Sequence, residues 1–393
     1  MTTRALPARR FPAWFVLYLG FVSAVTLIAG VMHVQARGKW TIADWLINYH
    51  AGFVRRGLTG EVALRLGSVL HVSPWLLVLL LQLTCYAAML YAVARLVERT
   101  AWPLWKLALV LSPATLAFPV LGPEGGFRKE ILLLAGLGLL LVMPLKQVRP
   151  LLLAVFTVVL TVVCVLSHES LLVFSIYVIA ALLIGLEDRW QGLGLSALVA
   201  ITAAETFSVV LHHPGGPRVA LSVCGALGYD MSGAMPEPCT GAIAYLGHSL
   251  AWAGRDVAQQ AATYHYARLY TVDAALASIP IVMAFMALWR IQSARRALIL
   301  VGSAAGLGIV ASVPLFLYGS DWGRWIYIHV FSIALLLFFI HQRYGTTEAA
   351  PARTPIQRVT LLAYATCWSL PFVGSYGLHF GYVQYVWLLL HNR

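Results

Sequence analysis

Long uninterrupted apolar runs dominate this chain, at roughly 12–32, 73–95, 107–121, 131–145, 151–167, 170–186, 195–212, 270–291, 298–318, 325–342 and 359–377. A helix that crosses a bilayer needs about 20 such residues, and shorter ones persist inside bundles. The runs predict an all-α integral membrane protein with about eleven transmembrane helices, ten to twelve at the limits. A last stretch, Tyr382–Leu390, is too short to cross alone. Composition removes the soluble alternatives. With 60% of residues hydrophobic and 11% charged, a chain of 393 residues cannot bury its apolar surface in water. Residues 1–393 are therefore read as one polytopic domain, without internal repeats or a soluble module.

Lys and Arg number 27 against 15 Asp and Glu. In a soluble protein that excess would suggest nucleic acid. Here the basic residues flank apolar runs, where they set topology and meet headgroups, and no nucleic-acid partner is expected. Arg4, Arg9 and Arg10 precede the first run, which lacks a small-residue cleavage site and reads as a retained helix with a cytoplasmic N-terminus. Alternation then places Arg95, Arg99, Lys106, Lys146, Arg149, Arg189, Arg290, Arg295 and Arg296 inside, with a cytoplasmic linker at 343–358. Outside lie a first loop, 33–72, with an interfacial helix at about 41–51, and a long loop, 213–269, whose part 240–268 has the makings of a surface helix. Cys224 and Cys239 share that long loop and can pair if it faces an oxidising compartment. The expected location is a bacterial inner membrane with the polar face outward.

The unusual polar residues sort to that one side. They are Asp44, Asn48, Tyr49, Arg55 and Arg56 in the first loop, Glu124, Arg128, Lys129 and Glu130 in the turn 122–130, and His168 and Glu169 in the third turn. Asp321 and Arg324 follow in 318–325, and His379 stands beside Gly377-Leu378 near the end. Each has an ordinary explanation. Thr41 and Asp44 fit a capping box, and Glu169 and Asp321 sit in first helical turns, where the helix dipole favours acids. Arg55 and Arg56 serve as headgroup anchors, and Trp45, Trp322 and Trp325 as interfacial aromatics. His168 reads equally as a buried, hydrogen-bonded core histidine.

Two features resist those explanations. Arg128 and Lys129 begin a helix, where cations are disfavoured unless an anion offsets them. Five helices also start on the outward side, so their positive ends converge with Arg55, Arg56, Arg128, Lys129 and Arg324 in an electropositive vestibule. The third and fourth runs are short, and Pro113 and Pro119 interrupt the third, as in broken helices that line an enclosed cavity.

An anionic lipid headgroup suits such a vestibule, and a carboxylate beside a phosphate clamp has general-base capacity. Sugar transfer from a polyprenyl-phosphate carrier needs those parts. With its many spans and an acid in the first outward loop just after the first span, the chain resembles the GT-C class of integral-membrane glycosyltransferases. The resemblance implies that Asp44 is the catalytic base, assisted by His168, Glu169 and Asp321. Arg55, Arg56, Arg128, Lys129 and Arg324 would hold the phosphate of a polyprenyl-phosphate-linked sugar or another anionic lipid. Asn48, Tyr49, Glu124, Glu130 and His379 would orient the substrates. Paired acids are common in that loop of the class, whereas here the next acid is Glu61. No cofactor and no dedicated metal site are expected, although Asp44, Glu124 and Asp321 offer oxygen ligands for a divalent cation. Two other classes fit the same sequence. One is a polysaccharide polymerase or ligase using Arg218, His248 and Arg255 of the long loop. The other is a transporter or flippase of an anionic lipid or sugar phosphate, with Glu205 and His329 as an intramembrane relay.

Overall fold

The computed structural model describes residues 11–98, 100–345, 352–372 and 379–391. Arg4, Arg9, Arg10, Arg99, the centre of the 343–358 linker and Gly377-Leu378 fall outside that set. The described residues form helices and connecting turns without a strand. In chain order the helices are α1 (Ala13–Gln35), α2 (Leu58–Leu70), α3 (Pro74–Val97), α4 (Leu104–Leu111), α5 (Phe118–Leu121), α6 (Pro123–Gly126), α7 (Ile131–Val142), α8 (Pro150–Ser167) and α9 (Leu171–Gly185). They continue with α10 (Arg189–Leu211), α11 (Pro217–Gly225), α12 (Ala242–Tyr245), α13 (Leu250–Thr263), α14 (Tyr266–Trp289), α15 (Arg295–Tyr318), α16 (Trp322–Tyr344), α17 (Pro355–Thr366) and α18 (Gly381–His391). Seven of these (α1, α3, α8, α10, α14, α15 and α16) are long and apolar enough to cross a membrane, and α7 and α9 are shorter apolar helices. The chain is a multi-pass helical membrane protein.

Burial orders the bundle. In α16, 94% of the membrane-length window is buried, against 22–33% for α1, α8, α10, α14 and α15, so α16 is the central post and the other five face outward. The short helices α7 and α9 pack beside α16 and are mostly buried. Enclosure by protein explains why they need not match the bilayer. His329 on α16 is hydrogen-bonded on both ring nitrogens, to the Tyr177 hydroxyl of α9 at 2.7 Å and the Ser312 hydroxyl of α15 at 3.1 Å.

Two expected spans are broken. The run 107–121 folds as α4, a loop and α5, because Pro113 lacks an N–H and pushes Ser112 out of the helical region to φ −61°, ψ 134°. At the opposite end of α4, the Lys106 ammonium donates to the Val97 and Ala101 carbonyls at 3.0 and 2.9 Å, and to the Thr100 hydroxyl. It thereby binds the last carbonyl of α3 and a carbonyl of the connection that follows. The run 359–377 ends as helix at Thr366, and Ser369–Phe372 are irregular. Gly323, in the first turn of α16, makes room for this segment. A Cβ there would overlap the Pro371 carbonyl oxygen, which also accepts a hydrogen bond from the Tyr270 hydroxyl at 3.3 Å.

The interfacial helix expected at 41–51 is a single 3-10 turn, Ala43–Leu46, and the helix of this loop is α2. The expected capping box does not form. The Thr41 hydroxyl has no hydrogen-bond partner, and no side chain caps the turn. What fixes it instead is tertiary packing. Trp45 donates its indole N–H to the Phe127 carbonyl at 2.9 Å, and Gln82 donates to the Thr41 and Phe127 carbonyls at 2.7 and 3.0 Å.

Candidate functional site

Those bonds clamp the first loop to the turn 122–130, and the turn is pinned again where the Tyr86 hydroxyl donates to the Gly126 carbonyl. Arg128, Lys129 and Glu130 are consequently held rigid and buried just before α7. Around them the separate polar segments meet in one charge network. Asp44 Oδ1 lies 3.6 Å from Lys129 Nζ and Asp44 Oδ2 lies 3.6 Å from Arg128 Nε. Arg128 Nη2 reaches Asp321 at 3.9 Å, and Arg324 binds Asp321 at 2.8 Å and Glu130 at 3.4 Å. On the other flank Glu169 accepts from Arg56 at 2.6 Å and Arg55 at 3.5 Å, while Lys129 donates to the Arg56 carbonyl at 2.9 Å. Within this network five cations face four carboxylates, and Glu124 and Asp256 add two further carboxylates beside it.

The network sits beside a cavity of about 670 Å³. Its walls include Arg56, Arg128, Arg324, His168, Asp321, Glu124 and His379, which are seven of the residues expected at the site. Asp44, Lys129, Glu130, Glu169 and Arg55 do not line it; they stand behind the lining residues as partners. Asp44, expected as a base on the cavity, lies behind this wall. Its carboxylate is wholly buried, accepts no hydrogen bond and is held by Arg128 and Lys129 away from the cavity. Burial pushes the carboxyl up, yet Lys129 and Arg128 outweigh it and hold Asp44 well below the ordinary carboxylate range. Buried and off the cavity, it has no path to a group bound there. Glu169 behaves alike, its burial outweighed by Arg56 and further cationic neighbours. Burial, only partly countered by Asp44, pushes the Lys129 ammonium down to about 8.

Two further expected residues also stand off the cavity. Asn48 donates its amide to the Leu46 carbonyl and accepts from the His50 N–H, which closes the turn. Tyr49 stacks on Phe53, and its backbone N–H binds Glu61. Neither lines the cavity.

The wall is rich in hydrogen-bond donors. His168 Nδ1 takes the Ser170 backbone N–H at 3.4 Å and pairs with the Ser170 hydroxyl at 2.6 Å, which assigns the proton to Nε2. Burial, then Arg56, pushes this imidazole well below its ordinary value, so His168 is a neutral N–H donor at pH 7. His168 Nε2, Arg128 Nη1, Arg324 Nη1 and Trp325 Nε1 are all buried without a hydrogen-bond partner, on residues that line the cavity. Buried donors are ordinarily satisfied, so four together on one wall stand out. Arg128 also lies over the Trp40 ring at 5.2 Å and Arg324 over Trp325 at 4.3 Å, stacking that fixes the guanidinium planes.

Sequence reasoning missed the opposite wall. Tyr245, and Asp256 with Gln260 on α13, line the cavity; Asp256 Oδ2 accepts from the Tyr245 hydroxyl at 3.0 Å and from Gln260 at 2.8 Å. The spacing of Asp256 and Gln260 on one face of the expected surface helix was the available signal. Trp40, Ser369–Phe372 and Gln384 complete the enclosure. The residues suited to a polymerase, Arg218, His248 and Arg255, are exposed outside the cavity lining. Glu205 is exposed on α10, and His329 is satisfied by its two hydroxyl partners. Among the described residues no group of three or more His, Cys, Asp or Glu is placed to hold a metal ion. Asp44 and Asp321 are each already engaged by two cationic side chains.

Cys224 and Cys239 are disulfide-bonded and tie α11 to the segment before α12. The Ala242 N–H donates to the Lys39 carbonyl, and the Arg55 N–H to the His213 carbonyl, so the long loop is fastened to the first loop as a roof. No protein-family model, curated protein or solved structure matches the chain.

Proposed function

We propose that this protein transfers a sugar from a polyprenyl-phosphate-linked donor to a hydroxyl acceptor, at the outer face of a bacterial inner membrane. The observation that carries the reading is the set of unpartnered buried donors of Arg128, Arg324, His168 and Trp325, all on residues that line one cavity. Phosphate is the acceptor that suits paired guanidinium groups, and the surrounding apolar bundle suits a lipid carrier.

In the transfer, the acceptor oxygen bonds to the anomeric carbon as the bond from that carbon to the phosphate oxygen breaks. The leaving phosphate takes the electron pair, and Arg128, Arg324 and the His168 N–H stabilise its charge. Asp321, the cavity-lining carboxylate nearest the clamp, takes the acceptor proton, while Asp44 positions Arg128 and Lys129 from behind. Outward orientation is supported by the Cys224–Cys239 disulfide, since such bonds persist in oxidising compartments. It is also supported by the basic residues Lys146, Arg189, Arg295 and Arg343 at the other end of the bundle.

The test is binding of farnesyl phosphate to the purified protein in detergent, together with sugar transfer from extracted lipid-linked donors. Arg128→Gln and Arg324→Gln should each weaken binding about tenfold or more, and Asp321→Asn should bind normally but transfer at least about a hundredfold more slowly. Undiminished binding by both arginine variants would remove the phosphate clamp and the reading with it.

A further inference from the structure

A second cavity, of about 610 Å³, lies between α1, α4, α17 and α18. Tyr18 and Phe21 of α1, Leu107 and Leu111 of α4, and Leu361 and Ala365 of α17 make it a predominantly apolar groove. It opens on the periphery of the bundle, where the neighbouring Leu17 and Leu362 are 73% and 65% exposed.

The groove and the charged cavity meet along the end of α17 with the residues just after it, and along the start of α18. Thr366 and Tyr382 line the groove, whereas Ser369 and Gln384 line the charged cavity. Two residues lie between Thr366 and Ser369, and one between Tyr382 and Gln384. Gly381 lets the two segments approach closely there. Its φ of +54° is a left-handed conformation, and a Cβ there would overlap the Trp368 carbonyl oxygen. A span that continued as helix through 359–377 would have had no such step from apolar to polar wall.

We propose that the two cavities form one bipartite site, in which the groove receives the hydrocarbon tail of the lipid whose phosphate occupies the charged cavity. The proposal rests on the phosphate reading above and adds where the tail runs. A lipid with its phosphate enclosed by Arg128, Arg324 and the α13 roof must leave the cavity toward the bilayer. The line where the two cavities meet is where an apolar path begins directly beside the polar one. A tail there exchanges lipid contact for protein contact along α1 and α17, so chain length contributes to recognition of the donor. The competing occupant is a phospholipid of the opposite leaflet, its headgroup at Arg353 and Arg358, which lie on the groove as well.

The experiment compares inorganic phosphate with farnesyl phosphate as ligands of the full chain in detergent. It uses Ala365→Phe, which fills the groove from a buried position, and Thr366→Trp, which does so from a half-buried one. Wild-type protein should bind farnesyl phosphate at least about tenfold more tightly than inorganic phosphate. Each variant should remove most of that advantage while leaving inorganic phosphate affinity unchanged. Farnesyl affinity unchanged in both variants overturns the proposal. So does equal weakening of both ligands, or a groove that retains phosphatidylglycerol from mixed micelles at saturating farnesyl phosphate. Wild-type protein that binds inorganic phosphate but gains nothing from the tail sinks the tail site and leaves the phosphate reading standing. Protein that binds neither sinks the phosphate reading first and the tail site with it.

Discussion

Asp44→Asn keeps the shape of the side chain and removes its charge from a site with no exposure to solvent. The carboxylate stands 3.6 Å from both Lys129 and Arg128. At an effective dielectric of about 20, each contact is worth roughly 5 kcal/mol of gross attraction. Much of that is offset by the desolvation of all three charges. The net loss on removing one partner of a buried ion pair is about 3–5 kcal/mol. The expected result is a protein destabilised by that amount in detergent unfolding followed by helical circular dichroism. A cycle with Lys129→Met should recover about 2 kcal/mol, because the unpaired cation leaves along with its partner. Without Asp44 the Lys129 ammonium is pushed lower still, so the cost should shrink as pH rises toward about 8, the wild-type value, and stay level above it. Asp321→Asn, at a half-buried position with 17% side-chain exposure, should cost only about 1 kcal/mol while abolishing transfer. If Asp44→Asn unfolds like wild type but transfers a hundredfold more slowly, Asp44 is the base after all and the positioning argument is wrong.

Three other outcomes follow from the structure. Lys106→Met keeps the apolar stem but strands the Val97 and Ala101 carbonyls, and should lower unfolding stability by about 1–3 kcal/mol without changing phosphate affinity. Gly323→Ala should displace Ser369–Phe372 from the cavity wall and reduce farnesyl phosphate binding while helix content stays the same. The third concerns acid. Asp44 and Glu169 are held below their ordinary values of 3.8 and 4.5. The unfolded chain therefore binds more protons than the folded one below about pH 4.5, and stability should fall on acidification there by up to about 1.4 kcal/mol per unit for each group. Above about pH 5 this contribution should be flat, and Glu169→Gln should lessen the slope in a pH series of thermal melts.

The gathering of Arg56, Arg128, His168, Asp321 and Arg324 was legible in the sequence, because ionisable residues at the ends of apolar runs have few places to go except one another. The depth of each was not. Asp44 and Asp321 look alike as acids beside an aromatic, and only the packing of Trp45 and Gln82 on Phe127 puts one behind the wall and the other on it. Residues 41–51 resemble a helix start, but the Asn48 side chain closes a turn and tertiary bonds from Gln82 replace the cap. The run 359–377 has the composition of a span, yet α17 stops at Thr366 and the Pro371 carbonyl is captured by Tyr270. Asp256 and Gln260 were visible as part of a surface helix, whereas the face that helix turns to the cavity depends on long-range attachments of the loop, such as Ala242 to Lys39.

The brevity of α7 has a mechanical consequence. Twelve residues rise only about 18 Å, against a hydrocarbon layer of about 30 Å, and α9 is little longer. Neither helix reaches both surfaces of such a layer, so at least one end of each stops short of an interface, and Arg128 and Lys129 precede α7 while His168 and Glu169 precede α9. Under the proposed function, polar ends that stop short would seat a bound phosphate below the plane of neighbouring headgroups. Leaving that seat between the arginines would then limit turnover.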